Sequence, residues 1–133
     1  KFAHLYYEEI GLGVDFTARD IQKRCIDHGN PWEIAKAFDG SAVVGKFLPK
    51  SQLPDVQNLN FHLLLNGEKV QEGNSKDMLF TIDQIIAYVS KFITLRTGDI
   101  IFTGTPVGVG PVHINDHLEG FLEDVKMFEF NVK

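Results

Sequence analysis

Apolar positions along this chain follow two rhythms, alternation and helical spacing, and each predicts its own elements. Glu9-Ile-Gly-Leu-Gly-Val-Asp15 alternates apolar residues with glycine, the pattern of a strand closely approached by other backbone. Ala18, Ile21 and Cys25 then recur at three- and four-residue spacing, which predicts a helix over 18–28 with those residues inward. Thr17 followed by Asp20 approximates a capping box at its start, Gly29 is the expected residue after its end, and Pro31 stops continuation. Residues 41–48 predict a short strand or extended link, and the loop that follows, between Pro49 and Pro54, has room for one helical turn. Strand-like segments at 59–65 and 68–71 flank Asn66-Gly67, a hairpin signal, because this dipeptide tolerates the positive φ values of a type I′ turn. Thr81 and Gln84 form a capping box ahead of Ile82, Ile85, Ile86, Val89, Phe92 and Ile93, whose spacing predicts a second helix with an apolar core stripe. Residues 100–102 predict a buried strand after the Gly98-Asp99 turn, and residues 125–132 a closing strand with Phe128, Phe130 and Val132 on one face. Residues 2–8 read as the tail of a helix, Trp32 as a core aromatic beneath its loop, His113 and His117 as loop residues, and Glu119-Gly120 as a turn.

Strands with a few helices and no repeated βαβ rhythm place the chain in the α+β class, with a predominantly antiparallel or mixed sheet. Its 133 residues, 44% of them hydrophobic, are enough for one domain with a core of its own. A net charge of −5, from 13 basic against 18 acidic residues with no basic cluster, argues against a nucleic-acid partner. No apolar run reaches membrane-spanning length, so no membrane partner is expected. One cysteine excludes an intramolecular disulfide framework and points to a reducing compartment, with Cys25 a small buried hydrophobe.

Chemistry concentrates between Asp15 and Lys36. A carboxylate (Asp15) stands where the first strand ends. A guanidinium (Arg19) and an amide (Gln22) share a helix face near the positive end of its dipole, and an ammonium (Lys36) follows the Gly-Asn-Pro-Trp loop. Such a set suits a metal ion together with an anionic, oxygen-rich substrate. The plainer alternative is an exposed amphipathic helix that carries Arg and Gln for solubility. The loop Thr103-Gly-Thr-Pro-Val-Gly-Val-Gly110 brings backbone N–H groups within reach of an anion. It lacks the lysine and hydroxyl pair of a P-loop, and Pro106 and Pro111 keep it from opening a helix, which makes a dinucleotide module a poor reading.

Three blocks in order, VDFTARDIQ, PWEIAKAFDGSA and GDIIFTGTPVGVG, resemble the signature of the fumarylacetoacetate hydrolase family. The likeness runs from about Tyr7 to the C-terminus and is strongest to the small acylpyruvate hydrolases and oxaloacetate decarboxylases. It implies the mixed β-sandwich roll of that family's C-terminal domain, with residues 1–133 a single, partial catalytic domain whose N-terminal part is missing. It also implies Mg2+ or Mn2+ held by three carboxylates. Asp15 matches the third; the other two belong to an upstream His-x-Glu-x-Glu block, and the adjacent Glu8 and Glu9 are not that pair. By the same resemblance Arg19 and Gln22 position substrate, Thr105 contacts its carboxylate end, and Lys36 adds positive charge beside metal and substrate.

The implied function is divalent-metal-dependent hydrolysis of C–C bonds in acylpyruvates or related 2-oxo acids through a metal-bound enolate. Oxaloacetate decarboxylation, or isomerisation or decarboxylation of a hydroxylated dienedioate, is the alternative within the family. A cytoplasmic homodimer is implied, acting on a small-molecule 2-oxo acid. The isolated chain is expected to be inactive, and the competing reading is a fragment that keeps the fold and weak ligand binding without catalysis.

Overall fold

The computed structural model describes residues 2–133. Its elements run β1 (Glu9–Asp15), α1 (Arg19–Asp27), β2 (Ala42–Pro49), β3 (Asn60–Leu65), β4 (Glu68–Asn74), α2 (Ile82–Val89), β5 (His117–Leu122) and β6 (Val125–Asn131). Short 3-10 turns punctuate them, including Ala3–Leu5 where a helix tail was expected and Lys50–Gln52 where one helical turn was. The protein is α+β: β1 and β2 form one sheet, and the other strands form a second in the order β4-β3-β5-β6. β3 pairs antiparallel with β4 and β5, and β5 antiparallel with β6. The first sheet is antiparallel too, since the Phe16 N–H donates to the Ser41 carbonyl at one end (2.7 Å) and the Lys50 N–H to the Glu8 carbonyl at the other (2.8 Å).

Residues Gly13–Val44 make one compact unit and the remaining described residues another. The larger unit has its core at Leu59, Leu122 and Met127, with Ile10, Leu12 and Phe61 packed against them. On β6 that core leaves no room beneath β2: a Cβ on Gly45 would lie 2.5 Å from the Met127 carbonyl oxygen. Close backbone approach, predicted for the glycines of β1, therefore occurs one strand later. Gly11 of β1 faces a side chain instead, the Phe47 ring.

Both local turn signals hold. Asn66 (φ 53°) and Gly67 (φ 84°) make the hairpin between β3 and β4. A bulge follows it, since Leu63 pairs with Gln71 but Leu64 with Lys69, which leaves Val70 as the extra residue of β4. At α2 the Thr81 hydroxyl accepts from the Gln84 N–H (3.2 Å), and the Gln84 side chain accepts from the Thr81 N–H (2.8 Å).

Three expectations need correction. First, α2 ends at Val89, so Phe92 and Ile93 lie beyond the helix and are exposed. Second, residues 100–102 are not a strand; the segment joins neither sheet and Ile100 is 52% exposed. A run of three apolar residues carries no period that distinguishes a buried strand from an extended loop. Third, His117 opens β5 and Glu119-Gly120 lies inside that strand, whose residues alternate between half-buried and buried. Gly120 is there because the Phe128 ring covers its Cα and a Cβ would run into it. The actual turn comes at Glu123 (φ 49°) and Asp124.

Candidate functional site

Asp15, Arg19, Gln22 and Lys36 all lie in the unit Gly13–Val44. Asp15 is the last residue of β1, and the bond from Phe16 N–H to the Ser41 carbonyl fixes the chain just after it. The Ala18 N–H then donates to the Ala35 carbonyl at 3.0 Å. Ala35 is fully buried, so this bond anchors the start of α1 against the 3-10 turn Glu33–Ala35. Lys36 follows directly, and its Nζ donates to Asp15 Oδ2 at 2.6 Å. The two side chains remain 32% and 49% exposed, so the pair faces solvent.

The expected capping box at α1 does not form. The cap position falls on Ala18, one residue after Thr17, and Ala18 has no side-chain acceptor. Its amide is instead committed to Ala35. The first-turn N–H groups are thus left without a side-chain cap at the helix end where anions are favoured. Arg19 is the first residue of α1 and is exposed; Gln22, half-buried, lies one turn further on. Trp32 is not a core aromatic. It is 44% exposed and, with Gly29, Asn30, Pro31, Glu33 and Lys36, lines an open depression of about 510 Å3. Gly29, in the left-handed region at φ 67°, and Pro31 shape the loop that presents the indole. Cys25 is buried on α1, as its spacing predicted.

Thr105 belongs to the other unit, on the irregular loop 103–110. Gly104 (φ 112°) and Gly108 (φ 99°) give the loop its course, and no helix follows it before β5. Thr105 Oγ1 accepts a hydrogen bond from Gln71 Nε2 at 2.9 Å. Nothing in the local pattern around Gln71 signals this bond, because its partner lies 34 residues away.

For a hard divalent cation, Asp15 offers a carboxylate oxygen at a solvent-facing position, the right donor for Mg2+ or Mn2+. It fits as one ligand of such a site. Among the described residues the group of three His, Cys, Asp or Glu ligand atoms within 4.8 Å of one another is His117, Glu119 and Glu129, on the β5–β6 hairpin. That cluster already holds a cation: Lys126 Nζ lies 2.6 Å from Glu119 and 2.7 Å from Glu129. Its hydrogen bonds to Glu119 and Glu129 raise the Lys126 pKa, and the Lys126 bond holds the Glu129 carboxyl below the usual range. Both carboxylates of the cluster are therefore already engaged by an ammonium of the chain itself.

The family model for the fumarylacetoacetate hydrolase C-terminal region matches residues 10–133. The chain belongs to this family. It is 47% identical over 128 residues to the mitochondrial oxaloacetate tautomerase of Mus musculus, covering 96% of this chain and 58% of that protein. Against the oxaloacetate tautomerase YcgM of Escherichia coli it is 46% identical over 109 residues, 81% of this chain and 50% of that one. Among solved structures, the fumarylpyruvate hydrolase of Pseudomonas aeruginosa in complex with Mn2+ and pyruvate matches with a TM-score of 0.89 and 35% identity, over 99% of this chain and 56% of that one. The chain therefore spans half to three-fifths of the length of these family members.

Proposed function

We propose that this chain supplies part of the active site of a divalent-metal-dependent enzyme that hydrolyses C–C bonds in acylpyruvates or related small 2-oxo acids. The observation that carries the reading is the Lys36 ammonium set directly on the Asp15 carboxylate at 2.6 Å, beside a helix start that carries Arg19. It joins a hard metal ligand to fixed positive charge, the combination needed where negative charge builds on a substrate oxygen.

Mg2+ or Mn2+, held in part by Asp15, supplies Lewis acidity when bound. Lys36 offsets the charge that develops as the 2-oxo acid enolises. Arg19 binds a substrate carboxylate through charge-assisted hydrogen bonds, Gln22 orients the substrate as an amide donor or acceptor, and Thr105 binds a carboxylate oxygen. None of these five side chains is a base suited to activate water, so hydrolysis draws one from elsewhere in the whole protein. A homodimer in a reducing compartment, the cytoplasm in the first instance, completes the reading.

A second reading within the same chemistry is favoured by the names of the curated relatives. Oxaloacetate tautomerisation or decarboxylation needs the same enolate stabilisation without an attacking water. The whole protein, loaded with Mn2+, is to be assayed against acetylpyruvate and oxaloacetate, with keto–enol exchange, decarboxylation and C–C cleavage followed separately. Turnover of acetylpyruvate that disappears on chelation and returns with Mn2+ supports hydrolysis. Exchange or decarboxylation of oxaloacetate alone selects the second reading. Inactivity in all three assays sinks both and leaves a binding domain.

A further inference from the structure

Gln71 stands outside the five assigned side chains, yet its amide reaches across to the loop that carries Thr105. Its Nε2 donates to Thr105 Oγ1 at 2.9 Å and to the Pro106 carbonyl at 3.1 Å, with the Val107 carbonyl at 3.5 Å. Two of these partners are carbonyl oxygens, which only accept, so the NH2 end of the amide is the end that faces the loop. The loop is seated on β4 at neighbouring points as well. Gly108, at φ 99°, lies so close over the Val70 carbonyl that a Cβ would collide with it. A Cβ on Gly73 would come 3.1 Å from Pro106 Cβ. The bulge at Val70 opens this seat. Such bulges re-aim the side chains around them, and Gln71 is the next residue.

The consequence concerns the polarity of Thr105. A hydroxyl has one hydrogen to give and two lone pairs to receive. With Gln71 donating to its oxygen, the hydrogen of Thr105 must point elsewhere. Among the described residues no protein acceptor takes it, and the residue is exposed. We infer that Gln71 is a positioning residue that fixes Thr105 as a hydrogen-bond donor, so that loop 103–110 selects an acceptor-only oxygen of the substrate, a carboxylate or oxo oxygen. This deepens the proposed function and rests on its assignment of Thr105 to substrate.

A double-mutant cycle in the whole, Mn2+-loaded protein tests it, with Gln71→Met, Thr105→Val and the pair assayed on oxaloacetate and acetylpyruvate. Met keeps the volume of Gln and removes only the amide. Each single variant raises KM roughly tenfold, the weight of one hydrogen bond to a charged group, with kcat changed far less. The double variant is no worse than Thr105→Val alone, because Gln71 acts only through Thr105. Melting temperatures run alongside show that the cycle does not follow stability. Multiplying losses, to about a hundredfold in the double variant, mark Gln71 as a separate structural support and overturn the inference. Wild-type kinetics in Gln71→Met overturn it too.

Should the Met variant not fold, Gln71→Glu decides. Its carboxylate would draw the Thr105 hydrogen to itself, so KM rises at least as far as in Thr105→Val, and an unchanged KM overturns the inference. A wild-type protein inactive on both substrates overturns the proposed function and this inference together, whereas an active wild type with an additive cycle overturns the inference alone.

Discussion

Replacing Lys36 by Met separates two quantities that a merely structural ion pair would keep together. At 2.6 Å the attraction between the Lys36 ammonium and Asp15 is about 1.6 kcal/mol in a bulk-water dielectric. Both side chains are substantially exposed, and holding them in one geometry loses rotamer entropy, so the net contribution to folding falls to about 0–1 kcal/mol. In a protein of the length of its relatives that is a fall in Tm of no more than about 2–4 °C. Loss of a fixed charge that stabilises developing negative charge is a larger effect, about 3 kcal/mol, or a hundredfold or more in kcat. Removing the ammonium also removes the cation that competes for Asp15, so Mn2+ binds as tightly as in wild type or tighter. The assay is threefold on the whole protein: melting without metal, calorimetric titration with Mn2+, and steady-state kinetics at saturating Mn2+. The expected pattern is a small loss in Tm, an undiminished Mn2+ affinity and a collapse of kcat. Unchanged kcat at full Mn2+ occupancy refutes the role of Lys36. A fall in Mn2+ affinity that accounts for the lost rate refutes the charge argument and makes Lys36 an organiser of Asp15 instead.

The close backbone contact at Gly45 makes Gly45→Ala destabilising by about 1–3 kcal/mol, since neither the Met127 carbonyl nor its strand can move aside; Gly110→Ala, which meets nothing within 4 Å, is the control, and equal melting of the two variants would contradict the packing of β2 on β6. Leu118 is 1% exposed, so Leu118→Ala should lose about 2–5 kcal/mol in urea unfolding, and a loss below 1 kcal/mol would mean that β5 is not a core strand. The Asp116 carboxylate accepts from Asn66 Nδ2 (2.8 Å) and the His113 N–H (2.7 Å), and these bonds hold its pKa below the ordinary 3.8. A pKa lowered on folding gives stability that is present above the unfolded value and lost as pH falls through the folded one. Asp116→Asn should therefore flatten the acid limb of a Tm–pH profile below about pH 4, and parallel profiles for variant and wild type would refute the assignment.

What was legible in the sequence was local. The Asn66-Gly67 turn and the Thr81–Gln84 box each place both partners within four residues, so their letters are sufficient and the structure repeats them. At α1 the cap falls one residue past Thr17, on Ala18, which has no side-chain acceptor, and the bond that holds this end, from the Ala18 amide to the Ala35 carbonyl, belongs to no capping pattern. β5 was missed for a related reason. Gly120 reads as a turn residue until the Phe128 ring is seen lying over it. Residues 100–102 err in the other direction: they have the letters of a strand and no strand to pair with.

The candidate site shows the same division more sharply. Its residue types stood out between Asp15 and Lys36, but helical spacing accounts only for Arg19 and Gln22 sharing a face. The bond between Asp15 and Lys36 spans 21 residues and that between Gln71 and Thr105 spans 34, so neither follows from any periodicity. Resemblance between blocks of sequence can name a residue that touches substrate, because such residues recur with their neighbours. It is much poorer at naming the residue that orients one, since that partner lies in another part of the chain and carries no motif of its own. Gln71 is such a case: the family resemblance sets it near the rim of the expected cavity and gives it no role. Its role follows from a direction, a donor aimed at a hydroxyl oxygen and two carbonyls, and direction is a property of the folded chain alone. The same logic separates Lys36 from Lys126, each bonded to carboxylate. Lys126 bonds two of them, Glu119 and Glu129, whereas Lys36 bonds one, Asp15. Of its three N–H donors Lys36 thus keeps more to offer a substrate than Lys126 does, and its pair is neutral where the Lys126 cluster is left net negative.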